Sequence, residues 1–289
     1  MTGRDRLLVV DGGAALKDDL ERGVVVVPHR VSVGGTEFVD DGSTERYQEF
    51  YTLLRGGATT ATGTPSPAAY LEAFRRSEAT TVLCLTIPER WSAMNSTANM
   101  AADILANEEG RRRVTVIDTG TAAAGFSLVA WCAAGLLESI DDSNAWELAV
   151  RTACAQVKVY GALATLTYVA RTGRVPTLIA GISNTLKVRP VFRLAGGDTG
   201  RVGLARTASG AIRQLETVAA KELGPDPQWV MIFHADAPEE AAELAERITR
   251  TVHPVRCENL PLSPMFGAHT GPGTIGFAAL PWPGGQPGD

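Results

Sequence analysis

Short apolar runs that alternate with helix-forming segments are the feature that most limits how this chain can fold. Leu7-Leu8-Val9-Val10 and Val24 to Pro28 are largely apolar, and Thr81 to Ile87 and Val114 to Asp118 repeat the pattern. Strands buried on both faces show such continuous runs, because neither face meets water. A helical segment follows each of the last two runs. This order predicts an α/β fold whose parallel sheet is covered by helices on both faces.

Turn and cap residues mark the other elements of the first half. The run from Val31 to Val39 is interrupted by Gly34-Gly35, a pair typical of a β-hairpin turn. Ser43 precedes a helical pattern that ends near Arg55, and a serine there is a favourable N-cap. Ser66-Pro67 predicts a second helix start, with serine as the N-cap and proline in the first helical position.

The second half adds a hairpin to the same alternation. Lys187 to Leu194 and Arg201 to Ala205 flank Gly196-Gly197-Asp198, so we expect a hairpin and a mixed sheet. Asp236-Ala237-Pro238-Glu239 resembles a capping box at a helix start. The remaining expected elements are strands at Lys158 to Leu163, Trp229 to Ala235, Val255 to Leu260 and Thr274 to Ala279, and helices at Leu166 to Arg171 and Ser209 to Glu222.

The change of pattern near Gln156 predicts two domains, which the length of 289 residues also favours. Residues 1–156 are expected to form an N-terminal α/β domain with the parallel sheet. Residues 157–280 are expected to form a C-terminal α/β domain with the mixed sheet. Residues 281–289 are rich in proline and glycine, and we expect them to be a disordered tail.

Charge and composition exclude several classes of function. The net charge is −5, aromatic residues make up 6% of the chain and no long basic run occurs, so we expect no nucleic-acid partner. The longest apolar stretch, Ala122 to Leu137, has 16 residues and is rich in alanine. This length falls short of a membrane span and predicts a buried helix of an α/β layer. No segment of the chain resembles a secretory signal.

The cysteines indicate a reducing compartment. Cys84, Cys132, Cys154 and Cys257 lie far apart, with no CxxC pair and no Cys/His spacing suited to zinc. We therefore expect reduced cysteines, a cytoplasmic protein and no metal site.

The segment Gly267-Ala268-His269-Thr270-Gly271-Pro272-Gly273 places one imidazole among glycines and a proline. Glycines let the backbone approach a ligand closely, and proline stiffens the turn. We interpret the segment as a rigid loop that presents His269 to a ligand. A tight turn with an incidental histidine is the alternative.

Two further loops carry hydroxyl groups and lead into helices. Thr59 to Ser66 is rich in threonine, and Pro88 to Ser96 follows the strand that ends at Ile87. The second loop places Ser92 near a helix N-terminus at the carboxyl edge of the sheet, where open α/β sheets bind ligands. Hydroxyls and amides at a helix start can bind an anion. Ordinary turn and cap chemistry is the alternative for both loops.

Other polar groups are weaker candidates. Arg171 to Arg174 and Arg206-Thr207 carry guanidinium groups that can bind a phosphate, with exposed surface charge as the alternative. His234-Ala235-Asp236 ends a strand, where a hydrogen-bonded histidine and a helix-capping aspartate explain it better than catalysis. The chain contains no GxxxxGK[ST], GxSxG or HExxH motif.

In their order and spacing these segments resemble the DegV family of bacterial fatty acid-binding proteins, over nearly the whole chain from Leu7 to about Leu280. The motifs that carry the resemblance are Asp11 after the first strand, Val31-Ser32-Val33-Gly34-Gly35, Asp41-Gly42 with Phe50-Tyr51, Thr62-Gly63-Thr64-Pro65-Ser66-Pro67, Ser92, Val116-Ile117-Asp118-Thr119, Gly173-Arg174-Val175, Arg206-Thr207, His234-Ala235-Asp236 and Gly267 to Gly273.

The resemblance implies two α/β domains with a long-chain fatty acid buried between them, and no cofactor. It implies that Thr62 and Ser92 hydrogen-bond the ligand carboxylate, with the Ala93 amide and His269 close by. It also implies a binding subunit without catalysis of its own, whose partner is a fatty acid kinase that converts the bound acid to an acyl phosphate for phospholipid metabolism. Contact with the membrane is then only transient.

Two arginines match the family pattern, and two short segments differ from it. Arg174 and Arg206 match family arginines linked to phosphate handling and kinase docking. Many family members have Asp-Ser where this chain has Asp11-Gly12, and Ser-Gly-Thr where it has Ser92-Ala93-Met94. An alanine amide thus replaces a glycine amide, and Met94 replaces a hydroxyl with apolar bulk. These changes bear on head-group geometry and on chain preference.

Two other functions remain open at this point. One is a stand-alone hydrolase that uses Ser92 and His269, and the other is a binder of a different amphiphilic carboxylic acid. The sequence reveals no acidic partner for His269, and the hydroxyl-rich loop suits a bound carboxylate better than a nucleophile.

Overall fold

The computed structural model describes residues 5–173 and 188–283. The strands of these residues form three sheets, with four, three and six strands. The strands are β1 (Arg6–Asp11), β2 (Val24–Val27), β3 (His29–Val33), β4 (Thr36–Asp40), β5 (Thr60–Thr62), β6 (Thr81–Thr86), β7 (Arg113–Asp118), β8 (Lys158–Ala162), β9 (Arg189–Ala195), β10 (Asp198–Ala205), β11 (Gln228–His234), β12 (Arg256–Pro261) and β13 (Ile275–Pro281). The helices are α1 (Tyr47–Arg55), α2 (Pro67–Arg75), α3 (Met94–Glu109), α4 (Ala124–Ser139), α5 (Ser143–Gln156), α6 (Thr167–Thr172), α7 (Ala208–Glu222), α8 (Pro238–Val252) and α9 (Pro264–Thr270).

The four-stranded sheet is parallel throughout, in the order β2-β1-β6-β7. Alternate side chains of β1 point to opposite faces. Leu7 and Val9 pack with α2 and α3, whereas Leu8 and Val10 pack on the side of α4. Both faces are therefore covered, which confirms the α/β fold with a parallel sheet predicted from the apolar runs.

Helix α4 lies between the parallel sheet and the six-stranded sheet. It contacts β1 on one side and β8, β11 and β13 on the other. Its residues from Ala124 to Ala130 are all buried, and the indole of Trp131 donates a hydrogen bond to the Ala14 carbonyl at 3.2 Å. The apolar stretch from Ala122 to Leu137 is thus the buried helix that its length predicts. Among the helices that the structure describes, none combines the length and the apolar character that crossing a bilayer requires.

A three-stranded antiparallel sheet, in the order β4-β3-β5, lies beside the parallel sheet. The predicted hairpin is confirmed, with Gly34 and Gly35 at φ values of 57° and 86°. The third strand, Thr60–Thr62, was expected to be a loop. Threonine fits a pleated strand well, and Thr62 pairs with Val31 across the sheet. This pairing fixes the position of the Thr62 side chain.

The six-stranded sheet is mixed, as predicted, in the order β10-β9-β8-β13-β11-β12. Strands β11 and β12 are parallel, and the other neighbours are antiparallel. Helices α7 and α8 cover one face. The opposite face presents side chains such as Val159 and Phe233 towards α4. That face forms one wall of the cavity described below.

Of the three predicted helix caps, one is confirmed. Ser66 accepts a hydrogen bond from the Ala69 amide at 3.2 Å and caps α2. Ser43 was predicted to start α1, and this was wrong: the helix begins at Tyr47, after Arg46, without a side-chain cap. The segment before α1 instead folds into a turn, in which the Ser43 amide donates to the Asp41 carboxylate at 2.9 Å.

The capping box predicted at Asp236 was also wrong. Ala237 is the N-cap of α8 and makes no side-chain cap bond, while Asp236 has a left-handed φ of 51°. The Asp236 carboxylate pairs with the Arg55 guanidinium, which also donates to the Asp236 carbonyl at 2.7 Å. A long-range ion pair has replaced the local cap.

The strands up to Asp118 belong to the first two sheets, and those from Lys158 belong to the third. Helix α5 joins the two groups, and the division into domains near Gln156 stays a prediction. Strand β13 includes Pro281, and the Trp282 amide donates to the Pro227 carbonyl at 2.8 Å. The rest of the predicted disordered tail, residues 284–289, lies outside the described residues.

Candidate functional site

A cavity opens between the parallel sheet, α9 and the inner face of the six-stranded sheet. Its empty space is about 1030 Å³, open mouth included. Most of its wall is apolar, with side chains such as Val159, Leu163, Phe192 and Phe233. Polar groups on the wall include His29, Thr62, Ser92 and His269. Three side chains predicted to form one site therefore line the same cavity, although they lie far apart in the sequence.

Thr62 and His269 are neighbours in this wall. The Thr62 hydroxyl oxygen and His269 Nε2 lie 3.4 Å apart, and both side chains are half-buried. Thr62 is held by its pairing with Val31 in β3. A hydroxyl and an imidazole at this distance can both reach one oxygen of an anionic ligand.

His269 lies in the last turn of α9, so the rigid loop predicted from its glycines was wrong. The helix begins at Pro264, a favourable first helical residue, and ends at Thr270, with Gly271 as its C-cap. Position 267 requires a glycine inside the helix, because a Cβ there would lie 2.5 Å from the Tyr51 hydroxyl oxygen. A short helix places His269 on the cavity wall, and its presentation to a ligand stays a prediction.

Ser92 lies in the loop between β6 and α3, at the carboxyl end of the parallel strand. The Pro88 carbonyl accepts hydrogen bonds from the Trp91 and Ser92 amides at 2.9 and 3.2 Å. The Ser92 hydroxyl accepts from the Met94 amide at 3.4 Å. The loop is thus folded back on itself, and it holds Ser92 at the N-terminus of a long helix.

The two residues after Ser92 differ in position. Ala93 is the N-cap of α3, is exposed and does not lie on the cavity wall, whereas the Met94 side chain is buried on that wall. Of the residues predicted at the head-group site, Ala93 is the one that the structure keeps off the wall.

Of the two arginines predicted to handle phosphate, the structure describes Arg206, which is not part of this wall. Arg206 is exposed in the turn between β10 and α7, next to Thr207, which caps α7 by accepting from the Gly210 amide at 3.0 Å. Arg174 lies outside the described residues. The roles of both arginines stay predictions.

The cavity wall also includes His29, which sequence reasoning missed. His29 lies opposite Asp40 in the β3–β4 hairpin, and its Nε2 is 3.4 Å from the Asp11 carboxylate at the end of β1. All three side chains are at most 1% exposed. The hairpin register, which is readable from Gly34-Gly35, pairs position 29 with position 40 and was the signal available in the sequence.

Burial and mutual attraction shift the pKa values in this cluster. Burial raises the pKa of Asp40 to about 6, although the Ser263 hydroxyl and His29 oppose the rise. Burial alone would lower the pKa of His29, but the Asp11 and Asp40 carboxylates and the Gly63 carbonyl outweigh it, so the pKa is raised. The cluster therefore favours a charged imidazole next to the cavity.

His234 has the structural role expected of it. Its Nδ1 accepts a hydrogen bond from the Ala237 amide at 3.3 Å, and burial lowers its pKa. It does not lie on the cavity wall. Within the described residues, no group of three or more histidine, cysteine, aspartate or glutamate side chains could hold a metal ion.

The DegV family model matches residues 7–281. The chain belongs to the DegV family. A DegV domain-containing protein of Streptomyces coelicolor is 30% identical over 258 residues, which cover 88% of this chain and 90% of that protein.

Solved DegV structures share the fold. One is a DegV family protein from Thermus thermophilus whose structure concerns fatty acid binding. It aligns with a TM-score of 0.85 and 28% identity, over 96% of this chain and 99% of that chain. The fatty acid kinase B3 protein of Streptococcus pneumoniae, loaded with linoleic acid, aligns with a TM-score of 0.83 and 20% identity over 96% and 99%. At that identity the likeness concerns the fold.

The structure gives a physical reason for the glycine at position 12. A Cβ at Gly12 would lie 1.8 Å from the Asp40 carbonyl oxygen, a contact that a side chain cannot make. The β4 backbone thus leaves no room for a side chain at position 12. The close approach brings Asp40 of the hairpin next to the end of β1.

Proposed function

We propose that this DegV protein binds a long-chain fatty acid in the cavity, with the carboxylate at Thr62, Ser92 and His269. The observation that carries the proposal is the hydroxyl–imidazole pair of Thr62 and His269 in a wall that is otherwise mostly apolar. Such a wall suits a ligand with one polar end and a long hydrocarbon chain.

The energetics agree with a weakly held head group and a strongly held chain. Each buried CH₂ contributes about 0.8 kcal/mol, so the apolar wall can supply most of the affinity of a long acyl chain. The N-terminus of α3, where Ser92 and the Ala93 amide lie, favours a negative charge. Hydroxyl donors leave the carboxylate oxygens chemically accessible, whereas an arginine fork would occupy both.

The finer part of the proposal is that the protein presents the bound carboxylate to a partner kinase in the cytoplasm. The family resemblance and the fold shared with the Streptococcus pneumoniae kinase protein support this step. The largely apolar wall of the cavity would limit the access of water to a reactive acyl phosphate. The chain itself then acts as a binding subunit that touches the membrane only transiently.

Mass spectrometry of a solvent extract of the purified protein tests the proposal. We expect a long-chain fatty acid in the extract, and uptake of oleate or palmitate by the delipidated protein. Absence of acyl lipid together with no uptake of either acid would overturn the proposal. A panel of simple esters, assayed without any partner, checks the hydrolase alternative, for which release of acid that is lost in Ser92→Ala is the diagnostic result.

A further inference from the structure

A buried ionic cluster, formed by Asp11, His29 and Asp40, lies directly behind the Thr62 segment. It joins the end of β1 to both strands of the hairpin. The His29 ring contacts the Asp11 carboxylate through Nε2 at 3.4 Å and the Gly63 carbonyl oxygen through Nδ1 at 3.3 Å. Gly63 follows Thr62, so His29 is one residue away from the hydroxyl assigned to the head group.

These contacts favour the doubly protonated ring. A carbonyl oxygen can only accept, so the contact with Gly63 requires a proton on Nδ1. Nε2 lies 3.4 Å from the carboxylate of Asp11, and it makes no aligned hydrogen bond with any described group, Asp11 included. A second proton on Nε2 gives a buried imidazolium beside a carboxylate, and removing either partner would leave an uncompensated charge.

The neighbouring groups do not supply a competing positive charge. Tyr47 and Tyr51 of α1 face Asp40, and Tyr70 of α2 and Cys84 of β6 face Asp11. Burial raises the pKa of each of these four groups, so they stay neutral near pH 7. On α9 the Met265 amide donates to Asp40 at 3.3 Å, and Ser263 lies nearby. His269 is the other imidazole on the cavity wall.

We propose that His29 is a positioning residue of the head-group site. Its imidazolium lies between the Asp11 carboxylate and the Gly63 carbonyl, positions the Thr62–Gly63 segment and gives the cavity its preference for an anionic head group. The proposal rests on the proposed function, because it concerns how the same ligand is held. It assigns to His29, the member of the cluster that lies on the cavity wall, the positive charge that the hydroxyls of Thr62 and Ser92 cannot provide.

The charge of the cluster changes in one direction with pH. At low pH, His29 is positive and Asp40 is neutral. As pH rises, Asp40 loses its proton near its pKa of about 6, and His29 loses its own above its ordinary value, because its pKa is raised. Both steps make the cluster more negative. Binding of a carboxylate should therefore weaken with rising pH, while binding of an uncharged analogue should not.

The test compares oleate with oleyl alcohol, which differ in the head group, from pH 6 to 9. Binding to the delipidated full-length protein is followed by the fluorescence of Trp91, which lies on the cavity wall. The preference is the Kd of oleyl alcohol divided by the Kd of oleate. In the wild type we expect this ratio to fall roughly tenfold as pH rises, which equals a shift of one unit in the pKa of His29 between the two complexes.

Variants separate charge from structure. His29→Asn retains a donor for the Gly63 carbonyl and removes the charge, so the preference at pH 6 should fall roughly tenfold and lose most of its pH dependence. The Asp11→Asn/His29→Asn double variant removes both members of the ion pair and should show the same loss of preference as His29→Asn. It provides the test if the single variant folds poorly. The matched control is His253→Asn at an exposed left-handed position that asparagine tolerates, and it should follow the wild type.

The outcomes are distinguishable. If the wild type binds neither ligand, the proposed function fails. If it binds both and the preference is independent of pH, or if folded His29→Asn keeps the wild-type profile, the role of His29 is overturned while fatty acid binding stands. Histidine NMR of the wild type gives a check without any variant: by reciprocity, the pKa of His29 should be higher with oleate bound than with oleyl alcohol. An identical pKa with both ligands would contradict the proposal.

Discussion

The Thr62 hydroxyl lies 3.4 Å from His269 Nε2, although 207 residues separate the two in the chain. Thr62 is delivered by the edge strand of a small antiparallel sheet, and His269 by the last turn of a short helix. Neither element belongs to the parallel sheet that dominates the sequence pattern. The pair therefore depends on how the hairpin and α9 pack together, and changes in that packing should alter ligand affinity.

The first prediction concerns the hydroxyls. Thr62→Ala and Ser92→Ala each remove one hydrogen bond to a charged group, which should weaken oleate binding by roughly 1.5–3 kcal/mol, or about 10- to 150-fold in Kd. Tryptophan fluorescence titration measures this loss, and circular dichroism checks the fold. The control is Ser96→Ala, because Ser96 is exposed on α3 and donates to the Ala93 carbonyl. Unchanged affinity in the Thr62→Ala/Ser92→Ala double variant would refute the assignment.

The second prediction concerns the glycine that ends α9. Gly271 has φ 78° and ψ 161°, a region open almost only to glycine, and a Cβ there would lie 2.0 Å from the Tyr168 ring. Gly271→Ala should cost of order 1–3 kcal/mol in backbone strain, with the clash in addition, and should displace His269. Thermal unfolding should show a lower Tm, and oleate affinity should fall with it.

Gly224→Ala is the matched control for Gly271→Ala. No atom lies within 4 Å of a Cβ at Gly224, and its φ is not in the left-handed region. The free energy of unfolding should therefore change by less than about 0.5 kcal/mol. Equal effects of the two substitutions would show that the end of α9 is not under the constraint described.

The third prediction concerns the pH dependence of stability. Burial raises the pKa of Asp40 to about 6 from an ordinary value of 3.8. A raised carboxyl pKa contributes stability that is present below the unfolded value and is lost as pH rises through the folded value. The wild type should thus lose stability between about pH 4 and pH 6 through this group, and Asp40→Asn should not.

Differential thermal unfolding at pH 4 and pH 7 measures this effect. The Tm of Asp40→Asn relative to the wild type should be higher at pH 7 than at pH 4, because only the wild type must bury a carboxylate at pH 7. Asp41→Asn, at the exposed neighbouring position, should show no such trend. A Tm difference for Asp40→Asn that is constant with pH would contradict the burial argument.

The sequence predicted those parts of the fold that depend on local pattern. Continuous apolar runs located the parallel strands, and Ser66-Pro67 located a helix start, because hydrophobic periodicity and capping are short-range effects. The caps predicted at Ser43 and Asp236 were wrong for the opposite reason. Asp236 pairs with Arg55, 181 residues away, and no local rule anticipates such a partner.

The same distinction holds at the candidate site. The resemblance named Thr62, Ser92 and His269, and the structure brings them to one cavity. The resemblance did not reveal the buried cluster of Asp11, His29 and Asp40 behind these residues. His29 and Asp40 each lie in a hairpin whose register was readable, but their meeting with Asp11 requires the tertiary contact at Gly12, where β1 and the Asp40 backbone touch.

The last prediction separates the arginines from the lipid site. Arg206 is exposed and off the cavity wall, and Arg174 belongs to the same predicted role. A bound fatty acid carries one negative charge, which the hydroxyls and imidazole groups of the proposed site would already meet. An acyl phosphate has a larger and more highly charged head group, which guanidinium groups suit, and a kinase that docks at the cavity mouth can be steered by them.

Arg206→Ala and Arg174→Ala should therefore keep oleate affinity within about threefold, a change of less than 1 kcal/mol, and lose most acyl-phosphate formation with a cognate fatty acid kinase and ATP. Fluorescence titration measures the first quantity, and trapping of the acyl phosphate with hydroxylamine measures the second. Arg250→Ala, an exposed arginine of α8 paired with Glu246, serves as the control and should match the wild type in both assays. A variant that loses oleate binding but turns over normally at saturating fatty acid would place that arginine in the head-group site instead, because the defect would then lie in holding the ligand and not in transferring phosphate to it.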